Sequence, residues 1–163
     1  MHDQLQFKHK ILFVCTGNIC RSPSAEGVFR KMIEEHESFD GSIYIDSCGT
    51  HSYHIGQSPD VRAQHAAVNR GIDISKQMAR QIEADDFDFF DYILVMDNFN
   101  LNVVRSMVDE TYRSKIHLFL DYAELNEYKE VPDPYYGGEG GFEIVLDLLE
   151  QASIGLIKHL QSN

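Results

Sequence analysis

Apolar residues fall into four short runs, separated by longer stretches in which they recur at three- and four-residue spacing. Ile11-Leu12-Phe13-Val14, Ile43-Tyr44-Ile45, Tyr92-Ile93-Leu94-Val95-Met96 and Ile116-His117-Leu118-Phe119-Leu120 are apolar on both faces, the mark of buried parallel strands. After the first run, Ala25, Val28, Phe29, Met32 and Ile33 predict a helix behind Ser22-Pro23, since proline suits a first turn. A second helix is expected from about Ser58-Pro59-Asp60, with Val61, His65 and Val68 on one face and Gly71 as its stop. A third spans about Asn98 to Met107 with Leu101, Val104 and Met107 on one face. The last, Phe142 to Leu160, turns Val145, Leu148, Leu149, Ala152, Leu156 and Leu160 toward the sheet. Pro132, Pro134, Gly137, Gly138, Gly140 and Gly141 break the stretch before it and predict a functional loop. The alternation predicts an α/β fold: one doubly wound, four-stranded parallel sheet with helices on both faces. Such sheets bind ligands beyond the carboxyl ends of their strands, at the point where strand order reverses. The loop after the first strand is the place to look.

At 163 residues the chain suits one domain, residues 1–163, with 1–9 as a polar extension. The 14 basic against 26 acidic side chains give a net charge of -12, which disfavours nucleic acid as a partner. The imbalance is local: residues 1–80 carry 9 basic and 9 acidic side chains, and 81–163 carry 5 and 17. An anion site therefore belongs in the first half. No apolar run reaches the roughly 20 residues of a membrane span, and the start MHDQLQFKHK has no apolar signal core. Three cysteines, an odd number, fit reduced thiols and a cytoplasmic setting better than a disulfide framework.

The segment Cys15-Thr16-Gly17-Asn18-Ile19-Cys20-Arg21-Ser22 carries a strand through a tight loop into a helix N-terminus. Unpaired backbone N–H groups and the helix dipole make such a turn an oxyanion cradle. Gly17 and Asn18 are the residues expected to take the positive φ that an amide nest needs. A thiol beside a helix N-terminus and a cation is shifted toward the nucleophilic thiolate, which marks Cys15. Arg21 offers a planar fork for two oxygens of a phosphoryl group, and Ser22 a hydrogen bond to the sulfur. A thiophosphate route needs an acid for the departing oxygen and then a base for water. Asp133 is the candidate, because Pro132 and Pro134 stiffen the arm that carries it. Tyr135 and Tyr136 can wall a slot for an aromatic leaving group.

With the Cys-x5-Arg-Ser run at the first strand's end and Asp133-Pro134-Tyr135-Tyr136 late in the chain, the sequence resembles the low-molecular-weight protein tyrosine phosphatases. Asp46-Ser47, Ala79-Arg80-Gln81 and Asp91-Tyr92-Ile93-Leu94-Val95-Met96-Asp97 extend the resemblance over nearly the whole length. It implies a metal-independent, cofactor-free phosphatase with Cys15 as nucleophile, Arg21 as phosphate binder and Asp133 as general acid, then base. It further implies that Thr16, Gly17, Asn18, Ile19, Cys20, Ser22 and Ser47 form and support the phosphate loop. The implied partners are phosphotyrosyl proteins or small aryl phosphates, with inorganic phosphate and other tetrahedral oxyanions at the loop. An apolar Ile19, with Tyr53, Tyr135 and Tyr136 as pocket residues, favours phosphotyrosine; threonine at that place goes with arginine phosphatases. Gln77 departs from the pattern, standing where many relatives have histidine.

Plainer readings stand beside these. Cys20 is either a small core residue or a resolving thiol for oxidised Cys15. Cys48 reads as packing and Asp97 first as a helix cap. The acidic set Glu83, Asp85, Asp86, Asp88 and Asp91 reads as a solvated face. His51 and His54 have no ligand spacing, so no metal site is expected. Arsenate reduction on the same fold usually needs a late cysteine pair, and no cysteine follows Cys48. A turnover-free phosphotyrosine-binding module is disfavoured because Cys15, Arg21 and Asp133 are all present.

Overall fold

The computed structural model describes residues 7–36, 38–39, 41–124, 127–135, 137 and 140–162. Four strands form one sheet: β1 (His9–Cys15), β2 (Ile43–Gly49), β3 (Tyr92–Val95) and β4 (Ile116–Leu118). Their spatial order is β2-β1-β3-β4, and every neighbouring pair is parallel. The doubly wound α/β architecture read from the sequence is the one observed. β1 begins at His9, inside the stretch expected as an extension, because His9 and Lys10 pair with Ile43 and Tyr44. The fourth apolar run is strand only to Leu118; Phe119–Tyr122 continues as a 3-10 turn.

Side chains alternate across β1, so its apolar run feeds two cores. Ile11, Phe13 and Cys15 face a layer built by α1 (Arg21–Glu34), α2 (Val61–Val68) and a long C-terminal helix, Gly140–Gln161. Leu12 and Val14 face the opposite layer with Ile93, Val95, Phe87 and Val104, as expected for a strand buried on both sides. Phe13 meets Phe29 and Phe119 edge-on, at centroid distances of 5.8 and 4.9 Å, a preferred geometry for aromatic rings.

Three short helices complete the second layer: α3 (Ala84–Phe89), α4 (Asn98–Ser106) and α5 (Glu110–Arg113). The C-terminal helix is therefore α6. Neither α3 nor α5 was legible in the apolar pattern. The supposed solvated acidic face is in part structural. Asp86 is buried, receives both terminal nitrogens of Arg80 at 3.0 Å and caps α3 by accepting the Glu83 N–H. Asp91 accepts the Lys10 N–H.

The face expected of α2 is also corrected. Ala63, Ala66 and Ala67 are buried, whereas Val61 and Val68 are exposed. Close helix packing selects the small side chains here, and the valines are left to solvent. α6 buries every residue expected of it, together with Leu146 and Ile157. It also approaches the 3-10 turn so closely that any side chain at Gly155 would strike the Tyr122 carbonyl.

Candidate active site

β1 ends centrally in the sheet, with β2 on one side and β3 on the other, so the reversal of strand order falls beside Cys15. The residues just beyond β1, β2 and β3 meet there. Thr50 N and His51 N donate to Cys15 O and Thr16 O at 2.8 and 3.0 Å. Gly49 packs so tightly on the loop that a Cβ would lie 2.7 Å from the Thr16 carbonyl oxygen. Asn18 alone among the non-glycine described residues has positive φ, at 59°. Gly17 does not share it, contrary to expectation; a Cβ there would come within 2.9 Å of the His54 ring and push that ring aside.

The helix dipole is left open at this spot. Asp60, Asp97 and Asp109 cap α2, α4 and α5 by accepting first-turn N–H groups. No side chain caps α1, and its first turn holds no acidic residue. The dipole and first-turn amides of α1 therefore suit this spot to an anion.

Cys15 Sγ lies at that N-terminus, 3.0 Å from Ser22 Oγ and 3.3 Å from the Asn18 N–H that points at it. The Asn18 amide donates to Ser22 Oγ and Ser47 Oγ at 2.8 and 3.1 Å, and its oxygen accepts the Arg80 N–H at 3.0 Å. Ser47 Oγ donates a hydrogen bond to buried Glu26 at 2.8 Å, and Gln77 sits 3.5 Å from the same hydroxyl while donating to Pro23 O at 3.0 Å. Gln77 thereby keeps a place in the support network. Burial pushes the Glu26 carboxyl above its ordinary value, against the hydrogen bonds from Ser47 and Arg30.

Arg21 is buried and aimed from two sides. Its Nη1 donates to Asp97 Oδ2 at 2.5 Å and to Val131 O at 3.1 Å, and its Nη2 lies 3.5 Å from Asp133 Oδ2. Burial works against this cation, but negative charge on Cys15 and the bond to Asp97 outweigh it and raise its pKa. Asp97 therefore does more than cap α4. The signal available was its position directly beyond β3, beside the end of β1. Asn100, one turn on, donates to Thr16 Oγ1 at 3.1 Å.

Asp133 hangs over this cradle. Val131 N donates to Met96 O at 2.8 Å, fastening the arm to the end of β3, and Asp133 Oδ1 accepts the Tyr135 N–H at 3.0 Å. A cleft of about 430 Å³ opens between cradle and arm, lined by Cys15, Thr16, Gly17, Ile19, Cys20 and Arg21 below and by Tyr53, His54, Asp133 and Tyr135 above. The volume suits a small organic ligand. Tyr136 lies outside the described residues. Cys20 lines the cleft with its thiol pushed up by burial, then by Asp60. Cys48 is fully buried; its carbonyl accepts the Ser22 hydroxyl at 3.2 Å.

A profile for low molecular weight phosphotyrosine protein phosphatases matches residues 10–163. The chain belongs to that family. The fission yeast low molecular weight phosphotyrosine protein phosphatase is 45% identical over 133 residues, 82% of this chain and 85% of the relative. A protein tyrosine phosphatase from Entamoeba histolytica, solved with Hepes in its active site, superposes with a TM-score of 0.90 at 43% identity. That match covers 95% of this chain and 98% of the other. A Drosophila arginine phosphatase is also similar, with a TM-score of 0.87, 32% identity and coverage of 94% and 97%. Among the described residues no helix is long and apolar enough to cross a membrane.

Proposed function

We propose that this phosphatase hydrolyses phosphotyrosine through a phosphocysteine on Cys15. The carrying observation is the placement of Cys15 Sγ at the start of α1, which no side chain caps, with Arg21 braced between Asp97 and the Asp133 arm. The phosphoryl oxygens take the loop N–H groups and the free edge of Arg21, which hold charge best where water is excluded. Cys15 attacks phosphorus as the thiolate, forming the S–P bond as the bond to the tyrosyl oxygen breaks, and Asp133 gives its proton to that oxygen. In the second step the Asp133 carboxylate takes a proton from water. The water oxygen attacks phosphorus, the S–P bond breaks, and inorganic phosphate leaves with the thiolate restored. Ser22 Oγ, 3.0 Å from the sulfur, steadies the departing thiolate when its one proton turns from the Cys48 carbonyl to the sulfur. The residues that support the loop in this reading are Thr16, Gly17, Asn18, Ile19, Cys20, Ser22 and Ser47.

Hepes carries a sulfonate, so its presence in the Entamoeba site supports a cradle for tetrahedral oxyanions. Ile19, Tyr53 and Tyr135 line the cleft with apolar and aromatic surface, which supports an aryl leaving group over a guanidino one. Cys20 is a bystander in both steps, and its place in the same cleft suits it to condense with a Cys15 sulfenic acid. No step draws on a cofactor. The test is phosphate release, in excess chelator, from matched phosphotyrosyl, phosphoseryl and phosphoarginyl peptides by wild type and Cys15→Ser. Cys15-dependent release from phosphotyrosine is expected. Release from phosphoarginine alone would move the substrate class, and chelator sensitivity would end the covalent route.

A further inference from the structure

The aromatic wall of the cleft does not stop at the cleft. Tyr135 and His54 face each other at a centroid distance of 6.2 Å, and His54 meets Tyr53 edge-on at 6.5 Å. Tyr53 then stacks on His51 at 5.1 Å and 25°, and His51 stacks on Phe99 at 5.9 Å and 19°. The row thus joins the arm, the loop after β2 and the first turn of α4. Phe99 does not line the cleft and is 56% exposed, while Tyr53 is 69% exposed. Burial therefore does not explain why an aromatic residue stands there. Nothing in the chemistry at Cys15 uses it either.

We infer that Phe99, His51 and Tyr53 form an accessory subsite that grips a large apolar or aromatic side chain flanking the phosphotyrosine of a polypeptide substrate. This rests on the phosphotyrosine reading above and specifies which phosphotyrosyl sequences are favoured. Three features support that occupant. The row is continuous with the cleft, since Tyr53 belongs to both. The ring spacings of 5.1 and 5.9 Å put Phe99 within about 11 Å of Tyr53, the reach of about three extended residues. The surroundings disfavour an acidic flank: Asp97 is committed to Arg21, Glu130 accepts the Asn98 N–H beside Phe99, and the chain carries a net charge of -12. Ring stacking against Tyr53 and Phe99 rewards an aromatic side chain beyond its burial. The gain falls on substrate binding, because the contact with the flank is the same in the ground state and the transition state.

The experiment uses the intact enzyme and phosphotyrosyl peptides that differ only at the three positions on each side of the phosphotyrosine, as phenylalanine, serine or aspartate. Wild type should show kcat/KM about tenfold higher for a phenylalanine flank than for serine, the difference lying in KM, with aspartate lowest. Phe99→Ala should erase that preference and Phe99→Tyr should keep it. Both variants should match wild type on a small aryl phosphate, which reports an intact fold and catalytic centre. Equal kcat/KM for all flanks, an acidic preference, or an unchanged preference in Phe99→Ala would each overturn the subsite. Failure of wild type on every phosphotyrosyl peptide would instead strike the phosphotyrosine reading itself.

Discussion

Cys15, Asn18, Arg21, Ser22 and Ser47 are each at most 5% exposed, whereas the Asp133 side chain is 43% exposed. The first group is cross-braced from three strand ends, and each of its side chains is bonded to a residue of another element. Asp133 stands on an arm fastened through Val131 to β3 and through the Tyr135 N–H, with its carboxylate 3.5 Å from Arg21 Nη2. The difference follows from what each half must do. A cradle for a transferring phosphoryl group gains most from geometry fixed before substrate arrives. An acid that becomes a base must meet the leaving group, then water, and let product out, so an open arm serves it. Damage to the cradle should therefore slow every substrate alike, and damage to the arm should slow substrates according to their leaving group.

Cys15→Ser gives the sharpest separation. Turnover should fall by at least about 10⁴-fold, the scale seen when a nucleophile is removed. Phosphate binding should survive, because backbone amides and Arg21 make the cradle; a titration by calorimetry or fluorescence checks it. Residual turnover within tenfold of wild type would contradict the covalent route. Asp133→Ala comes next, with a loss of about 10²–10⁴. Plotted against leaving-group pKa, its deficit should be steep, large for alkyl-like phenols and small for nitrophenols. A flat line would remove Asp133 from the acid role.

Function is legible in the sequence where it is encoded locally. Cys15 to Ser22 is one continuous strand-loop-helix segment, so its chemistry is visible residue by residue, and Asp133 is flagged by the prolines beside it. The braces were harder to see because each joins distant segments. Asp97 looks like a helix cap until β3 is placed next to β1 and its carboxylate reaches Arg21. Glu26 looks like an ordinary helix surface residue until β2 brings Ser47 against it. The α2 error has the same origin: valines dominate an apolar pattern, but the space beside α1 and α6 admits only alanines. Asp86 reads as solvated in a run of acids and is buried once Arg80 folds over it.

Gly49→Ala probes the cradle without touching a reacting group. The new Cβ would meet the Thr16 oxygen at 2.7 Å and the Gly17 carbonyl carbon and Asn18 nitrogen at 3.1 and 3.2 Å, all backbone atoms that cannot rotate away. Shifting the loop by a fraction of an ångström should lower kcat by about 10²-fold and cost about 1–3 kcal/mol of stability. Unlike the Asp133 variant, the deficit should not depend on leaving-group pKa. Gly155→Ala supplies the control: its clash falls on the Tyr122 backbone, remote from Cys15. Stability should fall while kcat of the folded fraction holds.

The smallest effect should come from Glu26, at the far end of the brace from Asn18 through Ser47. Burial raises its folded-state pKa above the ordinary 4.5, and the donors Ser47 and Arg30 only partly offset that rise. Folding thus favours the protonated carboxyl. Its contribution to stability is fully present below pH 4.5 and is lost as pH climbs through the raised folded value. Glu26→Gln keeps a neutral acceptor for the Ser47 hydroxyl and removes the titration. The variant should therefore gain on wild type as pH rises from 4.5 toward neutrality, by about a few degrees in Tm, while kcat at neutral pH changes little. Thermal melts of both proteins across that range decide the matter: a Tm difference that stays constant with pH, or one that moves toward wild type, would mean that the ionised carboxylate is fully accommodated by Ser47 and Arg30. In that case the brace behind the cradle would be an ion pair like the one between Asp97 and Arg21, and burial would set neither.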